Sequence, residues 1–330
     1  MKGEGFMKKT KFVYVFLVFL FSIGMFGKVN ADTVKDIKID ELNFPDSIFR
    51  NFAIDYDTDK NGYLSNDELI KISDIYFDGG DNKIYKNIVS LKGIEYFSNL
   101  KSVYLNETKI TNLDLSKNVK LTKVSVLNPK TEELILPKES GITELRISNY
   151  MPSKLDVGRL KELKKIQLTD CTNILVLDLT QNQKIKSIDV SRNISSKDNL
   201  RQLRLGTKTQ LKFLALNRLT KFKKLSTGKT PALDGVYITK CKKLKKLNVG
   251  KMPKLRKLNI AGCGLKTLDL RKNKKLKTLI CNNNKITKLN INKNKMLKTL
   301  DCKNNKIKEL NLYNRKIKKI RCDKNVLIVR

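Results

Sequence analysis

The feature that most restricts the fold is a pattern that returns about every 21 residues. It is clearest towards the end of the chain, in "LRKLNIAGCGLKTLDLRKN" from Leu255, "LKTLICNNNKITKLNINKN" from Leu276 and "LKTLDCKNNKIKELNLYN" from Leu297. All three fit L-x-x-L-x-L/C-x-x-N/C-x-L-x-x-L-x-L-x-x-N. A period of this length indicates one small structural unit per repeat, and only stacked units bury a continuous core.

Two apolar series run along the chain in step. Successive side chains of a strand alternate between its faces, so each L-x-L places two apolar side chains on one inward face. The intervals of the first series are 20 to 26 residues, and the longest separates Ile188 from Leu214. The first inward strand position falls at Val103, Val124, Leu145, Ile166, Ile188, Leu214, Val236, Leu258, Leu279, Leu300 and Ile320. A second series marks the opposite side of each coil, at Leu113, Leu134, Leu155, Leu177, Leu203, Leu225, Leu247, Leu268, Leu289 and Leu310.

This pattern resembles the leucine-rich-repeat template. The resemblance implies a leucine-rich-repeat solenoid with parallel short strands on its concave face. Because so short a coil has no room for a long helix, we expect extended, turn or 3₁₀ structure on the convex side. We assign about eleven coils to residues 86–330, after a cap at residues 32–85 and a signal peptide at residues 1–31.

The six cysteines follow the same period. Three take the second inward strand position and three take the inward asparagine position. A thiol is a small apolar group with a weak donor, so it packs at the first site and partly replaces an amide at the second. Neighbouring coils are about 4.8 Å apart, which is too wide at Cβ for a relaxed disulfide, so we predict six buried free thiols. A metal or redox site is the alternative, although the chain has no C-x-x-C and no histidine. The two sets are Cys281, Cys302 and Cys322, and Cys171, Cys241 and Cys263.

Short repeats with cysteines in the strand resemble the internalin J type of bacterial leucine-rich-repeat surface protein. The resemblance covers about Leu91 to Lys324. It implies an extracellular recognition scaffold, often adhesive, without naming a ligand. The chain departs from that type because no wall-sorting motif of the LPxTG kind follows the repeats, which argues against covalent attachment to a cell wall.

The first residues have the pattern of an export signal. "MKGEGFMKKTK" is basic, and "FVYVFLVFLFSIGMFG" is an apolar run of signal-peptide length. Small residues before Asp32 predict cleavage after Ala31, and a retained N-terminal anchor is the alternative. We therefore expect a secreted, extracellular monomer with no membrane span after signal removal, associated with a cell surface, if at all, by charge.

Charge is divided unevenly along the chain. Residues 32–100 hold 14 acidic and 8 basic side chains, whereas residues 101–330 hold 17 acidic and 56 basic ones. From Lys240 onward, 30 basic residues stand against 4 acidic ones. Such a field attracts polyanions. Electrostatic binding of teichoic acid, sulfated glycan, acidic lipid or DNA by the basic C-terminal half is therefore the alternative function. Lysines that only keep the solenoid soluble are the simpler explanation, and no motif predicts specific nucleic-acid binding.

The stretch "DTDKNGYLSNDE", Asp57 to Glu68, fits the EF-hand loop template. Gly62 permits the sharp turn of that loop, and Leu64 is expected to point to the core. Ca²⁺ needs six to eight hard oxygen ligands, and this spacing wraps them around one point. An acidic turn that holds no ion is the alternative. The predicted Ca²⁺ ligands are Asp57, Asp59, Asn61, the carbonyl of Tyr63, Ser65 and Glu68.

The segments beside this loop predict two helices. "PDSIFRNFAIDY" predicts the incoming helix, and "NDELIKISDIYF" predicts the outgoing one, with Asn66 as its cap. The apolar residues of the incoming helix are Ile48, Phe49, Phe52 and Ile54.

Residues 44–118 resemble a head found in secreted leucine-rich-repeat proteins of Gram-positive bacteria. The resemblance implies that a single EF-hand caps the first coil, which would otherwise expose its apolar face. We expect the cap to pack on Leu91, Ile94 and Phe97. Its calcium is expected to be structural, and a calcium sensor is the alternative.

The outward strand positions predict the binding face for an extracellular protein or glycan. Interface anchors are commonly aromatic or arginine. The predicted ligand-binding residues are therefore Tyr104, Arg146, Phe213 and Tyr237. The lysines are expected to lie mostly off this face, at coil edges and in turns.

The composition argues against an enzyme. The chain has no histidine, the commonest general base. The carboxylates of the central concave column, Asp189 and Asp301, are five coils apart.

Overall fold

The computed structural model describes residues 36–193, 198–312 and 317–329. The predicted signal peptide lies outside these residues. No described helix is long and apolar enough to cross a membrane. Short strands are the main regular element of the described residues, because buried and exposed side chains alternate and each coil is short. In chain order the elements are β1 (Ile37–Lys38), α1 (Ser47–Ile54), β2 (Tyr63–Leu64), α2 (Asn66–Leu69), β3 (Asp74–Asp78), 3₁₀ turns at Tyr85–Asn87 and Ile94–Tyr96, β4 (Ser102–Asn106), β5 (Asn112–Asp114), β6 (Lys123–Leu127), β7 (Glu133–Ile135), β8 (Glu144–Ser148), β9 (Lys165–Thr169), β10 (Val176–Asp178), β11 (Ser187–Ser191), β12 (Gln202–Gly206), β13 (Phe213–Asn217), β14 (Lys224–Thr227), β15 (Gly235–Thr239), β16 (Lys257–Asn259), β17 (Thr278–Ile280), β18 (Thr299–Asp301), β19 (Glu309–Asn311), β20 (Lys319–Arg321) and β21 (Leu327–Val329).

The concave face is one parallel sheet. Twelve described strands form it in the order β3-β4-β6-β8-β9-β11-β13-β15-β16-β17-β18-β20. Val103 pairs with Val124, and the pairing continues coil by coil until Leu300 pairs with Ile320. Each step joins neighbouring members of the first apolar series, so the predicted strand register is confirmed.

The convex side is extended in several coils, as the short period predicts. Leu113 pairs with Leu134 between β5 and β7, and Leu177 pairs with Leu203 between β10 and β12. The last pair of this side joins β19 to β21. The second apolar series thus also holds the register of neighbouring coils.

Buried amides and thiols tie successive coils together. Asn284 Nδ2 donates to the carbonyl of Ile260, one coil earlier, at 2.8 Å. In the preceding coil Cys263 Sγ donates in the same way to the carbonyl of Ile238 at 3.1 Å. A buried carbonyl without a donor would cost stability, so each side chain stabilises the turn beside it. The predicted exchange of thiol for amide at this position is therefore seen in the structure.

All six cysteines are free thiols in the structure. Cys171 and Cys322 are only partly buried, which corrects the prediction that all six are buried. Burial raises the pKa of Cys302 to about 12 and holds that of Cys281 well above its usual range. Since the thiolate is the reactive form, these two thiols are inert and contribute by packing.

The N-terminal segment packs on the first coils through aromatic rings. Phe49 of α1 lies with its ring centroid 5.8 Å from that of Phe97 and 6.1 Å from that of Phe77. Leu91 and Ile94 are buried in the same core. Ile54, predicted as an apolar contact of this helix, is instead 49% exposed. The end of α1 therefore turns away from the core.

The predicted outgoing helix is wrong beyond its first turn. Helix α2 ends at Leu69, and β3 then forms the first strand of the concave sheet, inside the segment assigned to the cap. Ile75 and Phe77 are buried while Tyr76 is exposed, an alternation that suits a strand. Ser65, rather than Asn66, is the N-cap of α2.

Candidate functional site

The acidic loop between α1 and α2 is folded around its own carboxylates. Asp57 accepts the backbone N–H groups of Asn61 at 3.1 Å and Gly62 at 2.9 Å. Asn61 Oδ1 accepts the N–H of Tyr63 at 2.8 Å. Gly62 has a φ of 82°, in the left-handed region that favours glycine. The next inward side chain, Leu64, is fully buried as predicted and anchors the loop.

Three of the predicted ligands converge. Carboxylate oxygens of Asp57, Asp59 and Glu68 all lie within 4.8 Å of one another. The Ser65 hydroxyl donates to Glu68 at 2.8 Å, so it lies beside the same cluster. Such a set of hard oxygen donors suits a divalent cation of the calcium type.

Glu68 is the buried member of the cluster. Its Oε1 accepts the N–H and the hydroxyl of Thr58, both at 2.7 Å, and its Oε2 accepts the N–H of Ser65 at 2.9 Å and its hydroxyl. These hydrogen bonds, the Ser65 N–H above all, lower the pKa of Glu68 to about 2. An ionised carboxylate has about four acceptor sites, so contact with a cation through both oxygens requires the two hydroxyls to turn away.

The strand that leaves the loop has a partner from the start of the described chain. In β2, Tyr63 pairs with Lys38 and Leu64 pairs with Ile37 of β1, in antiparallel register. The N–H of Ile39 continues this ladder to the carbonyl of Gly62 at 2.9 Å. β1 thus fixes the backbone on which the Tyr63 carbonyl sits, a contact that the sequence analysis missed.

The predicted concave anchors form two separate aromatic pairs. Tyr104 stacks on Tyr76 of β3, with ring centroids 4.6 Å apart and an angle of 8° between the rings. Both hydroxyls face Asp78 Oδ2 at 3.4 Å. Tyr76 was missed because its segment was predicted to be helical.

The second aromatic pair joins Phe213 to Tyr237 on the neighbouring strands β13 and β15. The ring centroids are 5.3 Å apart and the rings are tilted by 36°. A Cβ at Gly235 would lie 3.0 Å from Cε2 of Tyr237, so the absence of a side chain there lets the tyrosine ring lie down over the strand. Phe213 is 37% exposed. These two predicted residues are therefore brought together on the open face.

Arg146 belongs to neither pair. It lies on β8, which is separated from β4 by β6 and from β13 by β9 and β11. Its Nε is buried without a hydrogen-bond partner among the described residues. The four predicted anchors do not form one site.

A cleft of about 700 Å³ opens beside Phe213 and Tyr237. Its rim is basic, a feature that was not predicted for this part of the face. Asp234 pairs with Arg256, whose guanidinium holds the pKa of that carboxyl below its usual range. The basic residues that line the cleft are Lys212, Lys254, Arg256, Lys257 and Lys275.

No family model matches the sequence, and no curated protein matches it significantly. A solved structure does show the fold. The functional domain of InlJ from Listeria monocytogenes, described as including a cysteine ladder, is 17% identical with a TM-score of 0.54. The match covers 88% of this chain and 62% of that chain, so the chain spans less than two thirds of it. The fold is a leucine-rich-repeat solenoid.

Two further solved structures are similar at lower scores. The internalin InlF from Listeria monocytogenes is 18% identical over 88% of this chain and 94% of that chain, with a TM-score of 0.46. A leucine-rich-repeat protein of Leptospira interrogans is 20% identical over 77% and 85%, with a TM-score of 0.37.

Proposed function

We propose that the chain is a secreted recognition or adhesion protein that binds an extracellular protein or glycan through its concave face. The observation that carries this proposal is the exposed pair Phe213 and Tyr237, which lies in a cleft on an otherwise regular parallel sheet. Exposed aromatic rings beside a concavity are typical anchors of binding energy.

A role without catalysis accords with the placement of carboxylates on this face. Asp189 lies on β11 and Asp301 on β18, with four strands of the sheet between them. Burial raises the pKa of Asp189, but no second acid or base lies beside it in the described central column. Paired acid–base catalysis, as in glycoside hydrolysis, needs its two carboxyl groups beside one bond.

The same proposal includes one structural calcium ion in the cap, held by Asp57, Asp59, Asn61, the Tyr63 carbonyl, Ser65 and Glu68. The convergence of three carboxylates supports it. The ion would neutralise acidic side chains that otherwise repel one another. Glu68 belongs to α2, which leads directly into β3, so an ion there would stabilise the start of the solenoid.

The test of the recognition role is a screen of extracellular proteins and glycans with the purified chain. A ligand from the screen is then measured against the double variant Phe213→Ala/Tyr237→Ala. The matched control is Tyr76→Ala/Tyr104→Ala, which removes the other aromatic pair from the same face. We expect a loss of at least about tenfold with the first variant and little change with the second, because a few anchors carry most interface energy. If the affinity of every ligand is the same for both variants as for the wild type, the proposal is wrong.

Electrostatic binding of an anionic polymer by the basic C-terminal half is the second candidate. The basic lining of the cleft favours it. Its affinity should fall steeply with salt, because released counterions and screening dominate such binding. A ligand held mainly by the aromatic pair should show a mild dependence on salt.

A further inference from the structure

The cleft beside Phe213 and Tyr237 joins an aromatic floor to a positive rim. Five basic side chains and one carboxylate, Asp234, line it, which leaves a net charge of +4. Arg256 pairs with Asp234. Among the described residues, no ion pair joins a rim lysine to a carboxylate; these lysines are Lys212, Lys254, Lys257 and Lys275. The rim therefore presents positive charge that the protein does not neutralise.

The rim is part of a longer ladder at the edge where the concave strands begin. The residue before the first residue of each strand is basic in most coils. Each member after the first donates its backbone N–H to the carbonyl of the member one coil earlier, at 2.8 to 3.0 Å, so the residues stand in register. Coils repeat at about 4.8 Å, so the positive charges form a row along the solenoid, which is interrupted where Asp234 pairs with Arg256. This strand-start edge consists of Lys164, Lys186, Lys212, Asp234, Arg256, Lys277 and Lys298.

The edge where the strands end differs from the strand-start edge. There Thr239 donates to Asn217 at 2.8 Å, and Thr169 lies 3.3 Å from Ser191. These neutral side chains satisfy one another. The residue that follows each strand is basic less often than the residue that precedes it. The charged residues that follow a strand of this sheet are Arg192, Arg218 and Lys240, which are basic, and Glu107 and Asp170, which are acidic. Positive charge is thus more frequent along the strand-start border of the concave sheet.

We infer that the cleft and the strand-start edge together bind a linear anionic polysaccharide. The sugar rings stack on Phe213 and Tyr237, and the sulfate or carboxylate groups lie along the lysine row. This inference rests on the proposed function, because it names the ligand class of the same aromatic site.

Three observations favour this class of ligand. A row of positive charges spaced by the coil repeat matches a polymer whose charges also repeat. The row is mostly lysine, a point charge that suits a flexible polymer, whereas paired recognition of a single carboxylate favours arginine. A single tilted aromatic pair suits one or two sugar rings, whereas single-stranded nucleic acid is held by stacking of successive bases on several rings.

The decisive experiment compares charge reversal at the edge with the same reversal elsewhere. The edge variant is Lys186→Glu/Lys212→Glu/Lys298→Glu, which changes three exposed members of the strand-start edge. Its control, Lys245→Glu/Lys246→Glu/Lys266→Glu, changes the net charge equally at exposed positions outside the cleft. We expect affinity for dextran sulfate to fall about tenfold or more in the edge variant and much less in the control, because each reversal replaces an attraction by a repulsion. Equal losses would overturn the inference in favour of diffuse attraction.

Matched ligands separate the contribution of the rings from that of the charge. Unmodified dextran should bind weakly, since it lacks the anionic groups. Phe213→Ala/Tyr237→Ala should weaken binding of dextran sulfate several-fold but leave binding of poly-glutamate unchanged, because poly-glutamate has no sugar ring. Tighter binding of a single-stranded oligonucleotide of equal charge would overturn the inference in favour of nucleic acid.

Failure of the inference is distinguishable from failure of the proposed function. If a neutral glycan or a protein binds and is lost with Phe213→Ala/Tyr237→Ala, while dextran sulfate is unaffected by the edge variant, the proposed function stands and the inference falls. If the aromatic double variant changes the binding of no ligand, both fall. Circular dichroism and melting temperature of each variant establish that it is folded.

Discussion

The acidic loop at residues 57–68 and the basic cleft beside Phe213 and Tyr237 both hold like charges at close range. In the loop, carboxylates are gathered within 4.8 Å by a sharp turn and are bonded to backbone N–H groups. Along the strand-start edge beside the cleft, exposed lysines such as Lys186 and Lys212 stand one coil apart, fixed by the repeat instead of by a turn. Gathered charges suit a small ion, whereas spaced charges suit an extended ligand.

The largest expected effect tests whether the cap is an integral part of the solenoid. Phe49→Ala should destabilise the protein by about 3–5 kcal/mol, because Phe49 is fully buried between Phe97 and Phe77. Chemical unfolding followed by tyrosine fluorescence measures it. Ile54→Ala, on the exposed end of the same helix, should change stability by less than about 0.5 kcal/mol. Similar costs for both variants would show that the cap and the coils are independent.

Calcium should stabilise the protein by binding the carboxylates of the loop at residues 57–68, and it should have no effect through the lysines beside the cleft. At a hundredfold excess over its Kd, calcium should raise the free energy of unfolding by about 2.7 kcal/mol, since it binds only the native loop. Glu68→Gln should abolish the shift, and Asp67→Asn, a neighbouring exposed carboxylate, should retain it. The measurement is the melting temperature with and without chelator. If millimolar calcium does not change the melting temperature of the wild-type protein, the calcium site is ruled out.

A smaller effect is expected inside the coils. Cys302→Ser should cost about 1–3 kcal/mol, because it buries a hydroxyl at an apolar position. Cys263→Ser should cost less, since a hydroxyl at that position can still donate to the Ile238 carbonyl. Unfolding curves give both values. Thiol labelling should find few reactive groups in the native protein and six after unfolding, and a disulfide between neighbouring coils would contradict the buried-thiol interpretation.

The last effect, measured as a difference between two pH profiles, is the acid sensitivity of the loop in metal-free protein. The folded pKa of Glu68 is about 2, below its ordinary value of 4.5, so its contribution is present above about pH 4.5 and is lost as the pH falls towards 2. Melting temperatures over this range should fall less in Glu68→Gln than in the wild type. Equal slopes would mean that the four hydrogen bonds to Glu68 do not stabilise the loop.

The repeats could be predicted from the sequence in detail. Every step of the concave register from β4 to β20 follows from the first apolar series, because a shift of one residue would turn each buried side chain towards solvent. The same logic located Cys263 at an asparagine position. Periodicity is therefore enough to predict strand register and inward positions wherever each coil has the same pattern as its neighbour.

The parts that the sequence analysis missed lie where the period is absent. β1 and β3 each occur once, and their partners β2 and β4 lie in differently patterned segments. Tyr76 was lost with β3 because "DIYFD" follows a short helical turn, although its alternation favours a strand. The contact between Phe213 and Tyr237 could have been predicted, because the register places them on neighbouring strands. The basic rim could not, because the repeat pattern does not say which side of each coil the lysines occupy.

The order of strands in the concave sheet has a consequence for how such a chain can change in length. Each coil is bonded to the coil before it in the sequence, so the spatial order is the order of synthesis. A coil could be duplicated or deleted in register, and the joint would reproduce contacts that already exist. Among the described residues, such editing would be harder at the cap, whose aromatic rings contact the first coils, and at β12 and β14, where the register shifts. The span over which this chain can hold a ligand is in that sense adjustable in whole coils.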